Sequence, residues 1–106
     1  MELTVLAVPD CPNAPLLEAR LSQVLEGLPG VTLRRVELAD LDAAARWRMH
    51  GSPTLLVDGR DPFAEPGTGP ALACRLYRGE KGRLEGAPTT TALWQALEQA
   101  RRADRR

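Results

Sequence analysis

Apolar and polar positions alternate along this chain with three distinct rhythms. Leu3-Thr-Val-Leu-Ala-Val8 is a nearly continuous apolar run, the pattern of a strand covered on both faces. Leu17, Leu21, Val24, Leu25 and Leu28 then recur at helical spacing until Gly27, Pro29 and Gly30 stop the pattern. Val31 to Leu38 alternates in the manner of a second, half-buried strand. Asp40 or Asp42 is placed to cap a short helix running to Met49, with Leu41, Ala44, Ala45 and Met49 expected on its inner face. A third strand, Thr54 to Val57, follows Gly51-Ser52-Pro53 and ends at an Asp58-Gly59 turn. Ala71 to Arg78 reads as one further strand, antiparallel to the third. The last helix spans Thr89 to Ala103, with Leu93, Trp94, Leu97 and Ala100 facing inward.

Between the last two strands, residues 60–70 hold Pro62, Pro66, Pro70, Gly67 and Gly69, a composition incompatible with helix or sheet. Loops of that length in a small domain serve either as lids and binding loops or as surface excursions stiffened by proline. The predicted order is β-α-β-α-β-β-α, with no internal repeat and no interdomain linker.

Composition narrows the function classes. A chain of 106 residues forms one domain able to bury about 65% of its unfolded surface, so its two cysteines are not needed as a structural staple. Fourteen basic and fourteen acidic residues cancel, which removes the net basic face that nucleic-acid binding requires. Arg101, Arg102, Arg105 and Arg106 read as a solvated basic tail. No apolar run reaches the roughly 18 residues of a membrane span, and no signal-peptide pattern opens the chain. A cytoplasmic location is expected, where a cysteine pair is more often catalytic, redox-sensing or metal-binding than structural.

Cys11 is therefore the first candidate for chemistry. It follows the first strand through Pro9-Asp10 and precedes Pro12 and the helical pattern. Placed at a helix N-terminus, its thiolate gains from free backbone N–H groups and the helix dipole, and Pro12 suits a first helical turn. Asp10 opposes that effect. Position 14 is alanine, so no second thiol lies in the same turn. Three options remain: a monothiol forming mixed disulfides, a thiol resolved by Cys74, or a soft-metal ligand. Cys74 also fits as a small hydrophobe beside Leu72 and Leu76. His50, just before Gly51, is a candidate charge partner for Cys11 and equally a helix-end residue.

Two resemblances add to this reading. Gly51-Ser52-Pro53-Thr54-Leu55-Leu56-Val57 looks like the cis-proline loop of thioredoxin-family proteins. Together with Cys11-Pro12, it implies a thioredoxin-like three-layer α/β fold with a four-stranded mixed sheet flanked by helices. In that family the residue before the proline pairs through its backbone with an extended substrate, so Ser52 and Pro53, with Pro12, become the implied substrate-binding residues. More weakly, Cys11, the stretch Ala71-Leu-Ala-Cys74-Arg-Leu-Tyr77 and Leu84-Glu-Gly-Ala-Pro88 resemble the catalytic domain of alkylmercury lyases. There two cysteines hold mercury and an aspartate three residues after the first protonates the leaving group; here that position is Ala14.

The expected function is thiol-disulfide exchange or monothiol carriage, with Cys11 as nucleophile, Cys74 as candidate resolving thiol and His50 as candidate helper. The expected partner is a protein or small-molecule thiol or disulfide, and no cofactor is implied. One alternative is a mercury or soft-metal thiolate protein using Cys11 and Cys74. Another is a non-catalytic thioredoxin-fold module that binds through its long loop or a sheet edge.

Overall fold

The continuous apolar run at the N-terminus forms β1 (Glu2–Ala7), buried from Leu3 onward, and it becomes the central strand of a three-stranded mixed sheet. In this computed structural model, which describes residues 1–104, β1 pairs in parallel with β2 (Thr32–Glu37) and antiparallel with β4 (Thr54–Val57). Parallel pairing needs a crossover, and α1 (Ala14–Leu25) supplies it. Because side chains alternate across a strand, Leu3 and Val5 face one side and Leu6 the other. On the first side they meet Leu17 and Leu21 of α1, Leu55 and Val57 of β4, and Leu93 and Leu97 of α3 (Thr90–Asp104). On the second, Leu6 and Leu56 meet Leu38, Ala44 of α2 (Leu41–Trp47) and Met49. Each fully buried leucine contributes about 1.5–3 kcal/mol relative to exposure, so the two clusters hold the sheet between helical layers.

The helix boundaries follow local chemistry. Asp40 caps α2 by accepting the Ala43 N–H at 2.8 Å, and Thr89 caps α3 by accepting the Ala92 N–H at 3.1 Å. Of the four residues expected inward, Ala44 and Met49 are fully buried, whereas Leu41 is 58% exposed and Ala45 is also exposed; Ala43 and Trp47 pack against the cluster in their place. Trp94 is likewise mostly outside the core, its ring lying over Gly27. Arg101 and Arg102 belong to the last turn of α3, where Arg101 pairs with Glu98 at 3.6 Å; Arg105 and Arg106 lie outside the described residues.

The downstream half departs from the expected single strand and from the expected four-stranded sheet. Ala71 to Arg78 breaks into β5 (Ala71–Cys74) and β6 (Tyr77–Arg78). The first of these pairs in parallel with β3 (His50–Ser52), not antiparallel with β4. A hairpin joins β6 to β7 (Leu84–Glu85) across the Gly79-Glu80-Lys81-Gly82 turn. Gly51 explains why β5 can lie where it does. Its φ is +109°, and a Cβ there would stand 2.8 Å from the Cβ of Arg75, so only glycine permits this approach.

Residues 60–70 contain no helix or strand, as their composition dictates; 64–70 are exposed, but the start of the segment is tied down. Asp61 Oδ1 accepts the Phe63 N–H at 2.8 Å, and Asp61 Oδ2 accepts from Arg75 Nη1 at 2.7 Å. Arg75 Nη1 also reaches Thr54 Oγ1 at 3.1 Å, and Nη2 donates to the Phe63 carbonyl at 2.7 Å. Its guanidinium carbon lies 4.7 Å from the centre of the Tyr77 ring. That ring meets Phe63 edge-on at 5.8 Å, and the Tyr77 hydroxyl donates to the Pro53 carbonyl at 2.6 Å.

Burial raises the pKa of Tyr77 well above its ordinary value of 10.0, and Arg75 only partly offsets the shift. A phenol whose folded pKa is raised keeps its proton where the unfolded chain has lost it, so the contribution is complete below the unfolded value and declines as pH rises past it. Tyr77 is the sole tyrosine, which makes its ionisation directly visible. Stability should fall above about pH 10, and tyrosinate absorbance should appear together with loss of helical circular dichroism rather than before it.

Candidate functional site

Cys11 is held by a turn rather than by a helix. Its N–H donates to the Val8 carbonyl at 3.2 Å across Pro9-Asp10, and Asp10 has φ +60°. Proline at the second position and positive φ at the third mark a type II turn. The helix begins three residues later, at Ala14, with Asn13 as N-cap and Pro15 in the first turn. Pro12 therefore occupies the connecting turn, not the helix, and Cys11 stands outside α1. Its side chain is 7% exposed, packed with Ala7, Ala14 and Val8. The sequence pattern extended the helix too far because Pro12 and Pro15 are both acceptable first-turn residues.

Val8 connects this turn to the proline turn. Its N–H donates to Ser52 Oγ at 3.0 Å, so one residue holds Cys11 through its carbonyl and Ser52 through its amide. The Ser52–Pro53 bond is cis. Ser52 is 1% exposed and Pro53 is fully buried. The Ser52 carbonyl, assigned by resemblance to pair with substrate, accepts the Arg75 N–H at 3.0 Å. That backbone position is occupied by the chain itself. Thr54, also fully buried, closes the turn by donating from Oγ1 to the Gly51 carbonyl at 2.7 Å.

Cys74 lies directly opposite Ser52 in the β3–β5 ladder. It is exposed and, like Cys11, a free thiol. The two cysteines thus address one residue from two directions: Cys74 across the ladder, Cys11 through Val8. The antiparallel return expected for Cys74 does not occur. The parallel pairing of β5 with β3 is what sets it against the proline turn. His50 opens β3 and pairs with Ala71 in the same ladder. It lines a separate cleft, together with Phe63, Leu76 and Arg78, whose walls do not include Cys11.

Sequence reasoning missed Arg75, Asp61 and Tyr77. One signal was available: Arg75 interrupts the apolar stretch Ala71-Leu-Ala-Cys-Arg-Leu-Tyr77, and a charge among strand residues asks for a buried partner. No group of three or more His, Cys, Asp or Glu side chains placed to hold a metal ion occurs among the described residues. Nor is any described helix long and apolar enough to cross a membrane. Comparison with protein-family models, with curated proteins and with solved structures finds no match to this chain.

Exposure sets the expected order of reaction with a small alkylating agent. In the native protein iodoacetamide should modify Cys74 well before Cys11, and the two rates should converge in denaturant, as read by peptide mass spectrometry.

Proposed function

We propose that this protein is a thioredoxin-like thiol protein in which Cys11 and Cys74 act as a pair in thiol-disulfide exchange. The observation that supports the pairing is that both residues flank the proline turn: Cys74 is the ladder partner of Ser52, and the backbone of Cys11 is held by Val8, whose N–H donates to Ser52 Oγ. Attack on a disulfide requires an accessible sulfur, so exposure reverses the roles suggested by the sequence. Cys74 is the thiol that meets substrate, and Cys11 is the one that resolves.

The chemistry then runs in two displacements. The Cys74 thiolate attacks one sulfur of a substrate disulfide, forming a mixed disulfide and releasing the other half as a thiolate. Cys11, deprotonated, attacks Cys74 Sγ, expels the remaining half as a thiolate that takes up a proton, and leaves a Cys11–Cys74 disulfide. The substrate is reduced by two electrons and the protein oxidised by two. The rigid Val8-Pro9-Asp10-Cys11 turn contributes by fixing the resolving thiol, which lowers the orientational cost of the second step.

A second reading rests on the same placement. Two thiolates without a further ligand cluster among the described residues suit a soft cation of low coordination number, such as mercury(II) or copper(I). Ala14 stands where an acid for carbon-mercury cleavage would be, so this reading is one of binding only.

Oxidised glutathione tests the exchange reading. The wild type should lose two hydrogens in forming the internal disulfide. Cys11→Ser should accumulate a glutathione adduct on Cys74, whereas Cys74→Ser should react slowly. Accumulation on Cys11 in Cys74→Ser at the wild-type rate would reverse the assigned order. Failure of the wild type to form the internal disulfide would remove the exchange reading, and stoichiometric protection of both thiols from alkylation by mercury(II) would then favour the metal reading.

A further inference from the structure

Residues 74–78 form an extended run with two unlike sides. The guanidinium carbon of Arg75 lies 4.7 Å from the centre of the Tyr77 ring, so these two side chains share one side, and both are withdrawn from solvent. Cys74, Leu76 and Arg78 take the other side. All three are exposed, Leu76 to 59%, and Arg78 forms no ion pair among the described residues.

The backbone sorts the same residues by edge. The Arg75 N–H donates to the Ser52 carbonyl at 3.0 Å and the Gly79 N–H to the Arg83 carbonyl at 2.6 Å, so the odd-numbered residues are turned toward β3 and β7. Successive residues of a strand direct their N–H and C=O groups to opposite edges. Those of Cys74, Leu76 and Arg78 consequently face an edge that no described strand covers, and they have no backbone partner among the described residues. An uncovered edge of this kind is a template for another chain.

We propose that this edge receives an extended, cysteine-bearing segment of another protein as an added antiparallel strand, so that the substrate of the thiol pair is a protein disulfide. The proposal rests on the exchange reading and names its substrate class. Residues directly opposite in a hydrogen-bonded antiparallel pair have Cα atoms about 5.5 Å apart, inside the roughly 4.4–6.8 Å range of disulfides. A half-cystine opposite Cys74 is thereby within bonding reach. The Cys74 thiolate attacks its sulfur, the S–S bond to the substrate's second cysteine breaks, and that sulfur leaves as a thiolate. On the same side of the added strand, the residue two before the cysteine meets Leu76 and the residue four before it meets Arg78, at intervals of about 7 Å. Those positions suit an apolar and an acidic side chain. A second copy of this chain fits less well: antiparallel pairing about Cys74 would set Arg78 opposite Pro70 and Leu76 opposite Leu72, which is packed against the core.

The test uses acetyl-Glu-Thr-Val-Thr-Cys-Thr-amide with its cysteine carried as the thionitrobenzoate disulfide, and follows thionitrobenzoate release by the Cys11→Ser protein, in which Cys74 acts alone. The peptide should react about tenfold faster than the same disulfide of N-acetylcysteine amide, which cannot form a strand. N-methylation of the valine, which removes a ladder donor and keeps every side chain, should abolish most of that advantage. Arg78→Glu should reverse the preference to a peptide with Lys in place of Glu, with thermal melts confirming that the fold is kept. Equal rates for the peptide, its N-methyl form and N-acetylcysteine amide would overturn the proposal, as would a Cys74–Cys74 linked dimer as the main product. In the wild type, a peptide preference with the mixed disulfide left unresolved would support the edge and remove the exchange reading instead.

Discussion

The guanidinium of Arg75 is the constraint on which the downstream half of this protein depends. It is 11% exposed and its carboxylate partner, Asp61, 7%, so the charge lies largely outside water and must be met in full by protein groups. The Asp61 carboxylate, the Thr54 hydroxyl, the Phe63 carbonyl and the Tyr77 ring meet it. These partners come from three places in the chain that share no secondary structure: the proline turn, the 60–70 segment and β6. A hydrophobic contact would hold them together without fixing their orientation. A planar cation with defined donor directions fixes both.

The site follows from that constraint. With Arg75 anchored, its backbone N–H lies on the Ser52 carbonyl, which sets the register of β5 and brings Cys74 opposite Ser52. Tyr77 extends the same lock to the Pro53 carbonyl. On the other side, β1 and the Pro9-Asp10 turn present Cys11, joined to Ser52 through Val8. The two thiols differ in exposure because they reside on different supports. Cys11 is packed where β1 meets α1, whereas Cys74 ends a short strand at the surface. The irregular 60–70 segment is anchored to Arg75 at Asp61 and Phe63, runs exposed from 64 to 70, and borders a cleft whose lining includes neither cysteine.

Sequence and structure agree where hydrophobic periodicity is strong. The run from Leu3, the helical spacing from Leu17 to Val24, and the pair Leu93 and Leu97 appear where expected because burial decides each, on both faces of the strand and on one face of the helices. The Asp58-Gly59 turn is equally legible, with positive φ at both residues. Partnering is not. Whether Ala71–Cys74 lies against β4 or against β3 is decided by Gly51, whose missing side chain admits Arg75, and by an ion pair between residues 14 positions apart. Neither leaves a periodic trace. The helix start failed for a different reason: Pro12 and Pro15 satisfy the same local rule, and the Val8–Cys11 turn selects the second. The candidate cysteines were visible as residue types, while their relation through Ser52 required the fold.

Asp61→Asn measures the central interaction most directly, since it keeps the shape and the Phe63 contact while removing the charge that answers Arg75. Equilibrium denaturation in urea should show a loss of about 3–5 kcal/mol, the cost of leaving a buried cation uncompensated, and the double variant Asp61→Leu/Arg75→Met should recover a large part of it. A loss below about 1 kcal/mol, the value of an exposed pair, would contradict the account and place the anchor of β5 elsewhere.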